Sequence, residues 1–284
     1  MADGSKKLKI KDDKLIGLKN ILLDMKRVLV AYSGGLDSTF LLKVAIEILG
    51  RENVVAVTAR SETYPYQEFK EAKAVAKKMR ARHVVIATSE LGIKNFSKNP
   101  VNRCYYCKKE LFYKLDIMRK RFGLAFVLDG TNYDDLGDVR FGRKAALELG
   151  VRSPLLESGL TKADIRKYSK RLCLSTWDKP SYACLASRFP YHDDIKPQDL
   201  VRLDKAESFI RSLGFRQVRV RLHKDIARIE FYPNEIKKAL GDALRKKITD
   251  KLRSLGFKYI TIDLEGYRTG SMNETVRAEI KKLQ

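Results

Sequence analysis

The sequence predicts an α/β protein, a doubly wound, mostly parallel sheet followed by a smaller α+β domain, and three observations predict it. Short apolar runs at 27–32, 54–58 and 83–87 alternate with segments whose apolar residues recur at helical spacing, the alternation that builds a parallel sheet covered on both faces. The first run enters a turn, Ser33-Gly34-Gly35-Leu36-Asp37-Ser38, that opens directly onto a helical stripe. Arg-Ser-Leu-Gly-Phe occurs twice, at 211–215 and 253–257, each time ahead of an alternating apolar strand. That repeat marks a second domain.

In chain order, residues 1–13 read as a basic tail, and Leu15, Leu18, Leu22 and Met25 give 14–26 a helical stripe. After the turn, Leu41, Val44, Ala45, Ile48 and Leu49 form one apolar face that Gly50 ends. Residues 65–80 read as the next helix, and 125–128 as a fourth strand leading into Asp129-Gly130-Thr131-Asn132. Helices follow at 143–149 and 161–172, the latter with Thr161 as N-cap and Asp164 as an acidic capping-box partner. The polar, aromatic and proline-interrupted stretch 177–193 reads as a long functional loop. Beyond it, Pro197 starts a helix with Leu203, Ala206, Ile210 and Leu213 on one side, and strands at 217–222, 226–231 and 258–264 suggest a ferredoxin-like α+β domain. The expected divisions are 1–13, 14–185 and 186–284.

With 284 residues, 44% of them hydrophobic, the chain can build two cores. No window approaches a membrane span and the basic start lacks a signal-peptide core, so a cytoplasmic protein without membrane contact is expected. The net charge of +23 invites a nucleic-acid partner, but lysines and arginines are spread along the chain and serve small anionic substrates equally well. Charge alone leaves both readings open, and only the motifs described below make nucleic acid the less expected partner. Four cysteines in such a chain point to metal or thiol chemistry rather than a disulfide framework.

Adjacent glycines let backbone approach a ligand, and the turn's N–H groups with the Ser33 and Ser38 hydroxyls can surround phosphate oxygens at a helix N-terminus. Ser-Gly-Gly-x-Asp-Ser is the pattern of the pyrophosphate loop, at which ATP is split at its α-phosphate. It is not a Walker A loop, since no Gly-Lys-Ser/Thr triplet follows. Ligands of open sheets lie beyond the carboxyl ends of the strands, so Ser33, Gly34, Gly35, Asp37 and Ser38 should converge with Ser61 and with Gly130.

Cys104 and Cys107 form a C-x-x-C pair, and Cys184 lies in the long loop. Such a set can hold zinc, hold an iron–sulfur cluster or exchange thiols. Three thiolates would leave one iron of a cubane without a protein ligand, and an open iron can carry a transferable sulfide. Cys173 falls in the stripe of the preceding helix and reads as structural. In the repeat, Val218, Val220 and Leu222 match Ile260, Ile262 and Leu264 as core-facing positions. The opposite faces differ, with Arg219 and Arg221 in one copy and Tyr259, Thr261 and Asp263 in the other. Two neighbouring guanidinium forks suit a phosphate, against the alternative of a solvated face.

The turn 33–38, Tyr105-Tyr106-x-Lys108-Lys109, Val127-Leu-Asp-Gly130, Ser187-Arg-Phe-Pro-Tyr191, the arginine strand through Glu230, and Arg268-x-Gly-x-Met-Asn273 together resemble the LarE family, over nearly the whole chain from residue 14. The resemblance implies a pyrophosphate-loop ATPase of the adenine nucleotide α-hydrolase-like fold, acting as an ATP- and Mg2+-dependent sulfur transferase. Its substrate would be pyridinium-3,5-biscarboxylic acid mononucleotide, a precursor of the nickel-pincer cofactor of lactate racemase. The match places the loop residues, Asp37 foremost, on the phosphates and Lys108 near the reacting centre. It places Ser187, Arg188, Glu207, Arg219, Arg221 and Glu230 in the nucleotide pocket. Some members sacrifice a single loop cysteine and lack C-x-x-C; this chain resembles the other type, in which Cys104, Cys107 and Cys184 would hold a 4Fe-4S cluster fed by sulfide or another sulfur donor. The resemblance also implies a homo-oligomer, with substrate binding and self-association in 186–284. The alternatives are a tRNA thiolase, which the charge would suit, and an amidating synthetase, which would leave the cysteines unexplained.

Overall fold

A computed structural model describes residues 12–137 and 141–283, so nearly all of the expected basic tail lies outside the described residues. The chain divides into two compact units.

The first unit holds the described residues up to 61 with 68–88 and 104–182. Its elements follow one another as α1 (Asp13–Met25), β1 (Val28–Ala31), α2 (Leu36–Leu49), β2 (Val54–Arg60), α3 (Tyr66–Lys78), β3 (Arg82–Ala87), α4 (Arg103–Arg121), β4 (Phe126–Leu128), α5 (Phe141–Glu148), α6 (Pro154–Glu157) and α7 (Lys162–Arg171). The strands form one parallel sheet in the order β3-β2-β1-β4. Alternation along β1 and β2 sorts their side chains between two cores. Val28, Val30, Val54 and Ala56 pack with Leu18, Leu22, Phe40, Leu41 and Ile165, whereas Leu29, Val55 and Val57 pack with Phe112, Leu115, Val127 and Ala146. Helices therefore cover both faces, as the apolar runs implied.

Local signals behave as expected here. Gly50 ends α2 at φ +83°, and both halves of the Thr161–Asp164 capping box are made at the start of α7. Phe40 and Tyr168 stack with ring centroids 6.3 Å apart and tie α2 to α7. Cys104 and Cys107 stand within the first two turns of α4. Cys173 is not in the α7 stripe: it follows the helix end, is exposed, and adopts φ +54°.

The second unit comprises 62–67, 89–103 and 183–284. It contains α8 (Pro197–Ser212), β5 (Val218–His223), β6 (Ile226–Phe231), α9 (Ile236–Leu240), α10 (Asp242–Ser254), β7 (Tyr259–Ile262) and α11 (Arg277–Leu283). The repeat is real: α8 and α10 each stop at a left-handed glycine, Gly214 at φ +84° and Gly256 at φ +89°, and each leads into a strand. β5 pairs antiparallel with β6, and β6 pairs parallel with β7, giving a three-stranded sheet among the described residues rather than the four of a ferredoxin-like domain.

Two expectations fail in this sheet. β7 ends at Ile262, and Leu264, expected in the core, is 90% exposed in the turn where the Glu265 N–H donates to Asp263. β5 has no outward face, since Arg219 is only 2% and Arg221 5% exposed. Both strand faces are covered, so its arginines are interior groups. No described helix is long and apolar enough to cross a membrane.

Candidate active site

Two constellations carry the chemistry-bearing side chains, one in each unit. In the first, α2 begins at Leu36, so Asp37 and Ser38 occupy its opening turn rather than the connection. Gly34 takes φ +66°, and a Cβ there would stand 2.5 Å from that of Ala72, so no side chain fits between the loop and α3. The Ser33 and Ser38 hydroxyls are 3.0 Å apart, and Ser38 donates to the Gly35 carbonyl at 3.4 Å. Gly35 is the N-cap and supplies no side-chain cap, which leaves first-turn N–H groups available to an anion. Gly130, past the end of β4, lies so close that a Cβ would meet the Ser38 nitrogen at 3.0 Å. The loop and the end of β4 thus converge as strand order demands, while Ser61 sits half-buried just beyond β2.

Asp37 has a partner that the motif did not reveal. The Lys162 ammonium, from the first residue of α7, binds one carboxylate oxygen, while the other, Oδ1, is buried without a hydrogen-bond partner. Burial pushes the Asp37 carboxyl above its ordinary range even though Lys162 pulls it down. The Lys162 N–H donates to Asp134 at 2.8 Å, which fixes where α7 begins. A second lysine acts from outside the motif: Lys179 pairs with Glu68 at 2.8 Å and Glu71 at 2.9 Å, and donates to the Gly34 carbonyl at 3.4 Å. The loop is therefore braced by two lysines that follow it by more than a hundred residues.

In the second unit the centre is the short 3-10 turn Leu185–Arg188, with Cys184 as its N-cap. Arg188, wholly buried, forks onto Glu207 at 2.8 and 2.9 Å. Its remaining nitrogen donates to the carbonyls of Ala183 at 2.9 Å and Cys184 at 3.1 Å and to the Ser187 hydroxyl at 2.8 Å. Glu207, also wholly buried, accepts the Val220 N–H at 2.9 Å. Burial alone would raise its carboxyl, but the Arg188 charge and hydrogen bonds hold it below the ordinary range. Arg221 repeats the arrangement: it forks onto Glu230 at 2.8 Å on each arm and donates to the Ser187 carbonyl at 2.6 Å. The Arg219 guanidinium lies over the Tyr267 ring, 5.3 Å from its centre. Six of the expected site residues, Cys184, Ser187, Arg188, Glu207, Arg221 and Glu230, thus meet in one network.

All four cysteines lie outside disulfides, Cys104, Cys173 and Cys184 exposed and Cys107 half-buried. Cys104 and Cys107 are three apart on one helical turn and share a face with Lys108, whose ammonium lies 5.3 Å from the Phe112 ring centre. Gly142 packs on this face, where a Cβ would meet Lys108 at 2.9 Å. Soft thiolates on one turn fit iron or zinc as donors. Among the described residues, no three His, Cys, Asp or Glu side chains gather closely enough to hold an ion.

Residues 18–102 match the NAD synthase family, a span that runs from α1 past the loop and β3. An uncharacterised protein of Synechocystis is 42% identical over 265 residues, covering 93% of this chain and 98% of that protein. The pyridinium-3,5-bisthiocarboxylic acid mononucleotide synthase of Lactiplantibacillus plantarum is 40% identical over 257 residues, covering 90% of this chain and 92% of the synthase. The chain belongs to the LarE family. An uncharacterised protein of Methanocaldococcus jannaschii is 32% identical over 259 residues, covering 90% and 98%. Membership in the LarE family accounts for where the likeness to NAD synthase stops: the matched span holds the loop, whereas the cysteines and the arginine strand lie beyond it.

Proposed function

We propose that this protein is an ATP-dependent sulfur transferase that converts carboxylates of pyridinium-3,5-biscarboxylic acid mononucleotide to thiocarboxylates. The observation that carries the reading is that one chain, similar over nine-tenths of its length to a synthase of that product, holds both an anion-ready loop and an exposed thiol on a fixed turn. Neither part alone would specify it.

In the first step a substrate carboxylate oxygen attacks the α-phosphorus of ATP, the bond to the β-phosphate breaks, and pyrophosphate leaves. The first-turn N–H groups of α2 and the hydroxyls of Ser33 and Ser38 stabilise the departing charge, and Gly34 keeps the backbone close enough to do so. Asp37, with a buried unpartnered oxygen, is the oxygen donor suited to Mg2+. Lys162, paired with Asp37 at the start of α7, would supply a positive charge for the phosphates. In the second step sulfur attacks the acyl carbon and AMP departs with the bridging oxygen, for which Lys108 supplies a nearby cation. Arg219 offers its guanidinium to the nucleotide phosphate.

Cys104, Cys107 and Cys184 are the ligands we assign to a 4Fe-4S cluster, whose bound form would supply exchangeable sulfur that thiols alone do not regenerate. The test is anaerobic incubation with ATP, Mg2+ and the biscarboxylate nucleotide, followed by mass measurement of product and protein. Product sulfur with every cysteine sulfur retained is expected. A colourless protein, or iron content unchanged by Cys107→Ala, overturns the cluster assignment; absence of pyrophosphate release overturns the function.

A further inference from the structure

We propose that Thr58 and His83 are positioning residues for the pyrophosphate loop: a relay from the His83 imidazole through the Thr58 hydroxyl holds the Tyr32 carbonyl and so fixes the peptide on which the chain enters Ser33. The proposal rests on the reading of that loop as the place where ATP is bound and split, and it adds two residues that lie outside the loop motif.

The register of β1 on β2 stops at Ala31 opposite Val57, and just past it the Tyr32 N–H donates to the Val57 carbonyl at 2.9 Å. The Tyr32 carbonyl accepts from the Thr58 hydroxyl at 2.7 Å, and the Ser33 N–H of the same peptide donates to the Ser38 hydroxyl at 3.3 Å. Both polar groups of the entering peptide are therefore held, one from β2 and the other from the first turn of α2. The Tyr32 hydroxyl donates to the carbonyl of Ala72, the residue against which Gly34 closes, at 3.3 Å.

Hydrogen counting sets the direction of the relay. A carbonyl only accepts, so the single Thr58 hydroxyl hydrogen goes to Tyr32, and His83 Nε2, 2.8 Å from the Thr58 oxygen, carries the hydrogen of the second bond. Burial, with the Lys73 charge on α3 beside it, holds the imidazole below its ordinary range, so at neutral pH it is uncharged and has one N–H to give. Its ring meets the Tyr32 ring edge to face, with centroids 5.6 Å apart.

Thr58 is 1% and Tyr32 2% exposed, so water does not stand in for a lost partner. Without the relay the entering peptide can turn, and it takes with it Ser33, whose hydroxyl lies 3.0 Å from that of Ser38. A displacement of about 1 Å in groups that hold a reacting phosphate can cost on the order of a hundredfold in rate. The relay works from β2 and β3, so it fixes the loop without standing in the path of the nucleotide.

Four variants of the full chain test this. Thr58→Val keeps the side-chain shape and deletes the hydroxyl, whereas Thr58→Ser keeps the hydroxyl; His83→Phe keeps a ring beside Tyr32 and deletes the donor, whereas His83→Gln keeps an N–H donor. The readouts are the dissociation constant of Mg2+–ATP by calorimetry, kcat and both KM values for pyrophosphate release with the biscarboxylate nucleotide, and the His83 tautomer of the parent from its imidazole nitrogen shifts. Thr58→Val should weaken ATP binding about tenfold and lower kcat by about another tenfold, with KM for the biscarboxylate nucleotide within about twofold of the parent. Thr58→Ser should restore most of both losses. His83→Phe should give the same pattern at about threefold, partly restored in His83→Gln, and serves if Thr58→Val does not fold. A merely structural role would lower the active fraction, and with it kcat, while leaving both KM values unmoved. ATP affinity within about twofold of the parent in both Thr58→Val and His83→Phe, or a parent whose imidazole hydrogen sits on Nδ1, overturns the proposal. A parent that binds ATP but releases no pyrophosphate removes the proposed function instead, and ATP affinity and the tautomer still decide the relay.

Discussion

Asp37 and Glu207 are both interior carboxylates beside a cation, and they are held in opposite ways. Burial raises the carboxyl of Asp37, one oxygen of which lacks a partner. Glu207, more deeply buried, is held low because Arg188 fills its fork and a backbone N–H takes up further capacity. The first is a charge waiting for a ligand; the second is a finished piece of scaffolding. Depth of burial does not separate them, whereas completeness of partnering does.

The pH dependences should therefore have opposite signs. A depressed carboxyl contributes stability above its ordinary value of 4.5, and that contribution is lost as pH falls below it. A raised carboxyl does the reverse, favouring the fold at low pH and ceasing to do so as pH rises past its ordinary 3.8. Glu207→Gln should accordingly be the most damaging change, about 3–5 kcal/mol at neutral pH by denaturant unfolding, with a deficit that shrinks in acid. A deficit independent of pH would break the contrast.

Lys162→Met should leave the fold intact and slow pyrophosphate release about a hundredfold, the effect of deleting one donor to a developing phosphate charge. A pyrophosphate assay decides it, and Lys162→Arg should restore part of the rate. Gly34→Ala forces a left-handed residue against Ala72 and should cost about 1–2 kcal/mol or more together with measurable ATP binding. The smallest expected shift is the most diagnostic. Asp37→Asn should raise the melting temperature at neutral pH, because the unfavourable buried charge is gone, while ending pyrophosphate release; a lowered melting temperature would show that Asp37 is structural after all.

The two regions also differ in how far the sequence exposed them. The loop was legible because its glycines, acid and serines fall within six consecutive positions between a strand and a helix, and the Thr161–Asp164 cap was legible because its partners are three apart. Lys162 was not, since its contact with Asp37 spans 125 positions and nothing local marks a lysine at a helix start as special. The arginine strand was read from alternation as having a core face and an outward face, but alternation reports only that two faces differ, and α8 with the Cys184 turn covers the second. Leu264 failed for the converse reason: the repeat continues in the text past the point where Asp263 turns the chain. Cys173 looked structural by its helical phase, yet α7 ends before it.

The second unit takes residues 62–67 and 89–103 long before the rest of it, 183–284, has been made. Asn99 is fully buried, and its amide donates to the carbonyls of Phe189 at 3.3 Å and Pro190 at 2.6 Å. On a ribosome adding about 5–20 residues per second, those acceptors emerge roughly ten seconds after their donor. During that interval the parallel sheet can close through β4 at residue 128, while the early segments of its neighbour have nowhere to go. A nascent chain arrested between residues 130 and 180 should therefore present a completed sheet carrying two unsheltered segments, a state that a chaperone would be expected to recognise.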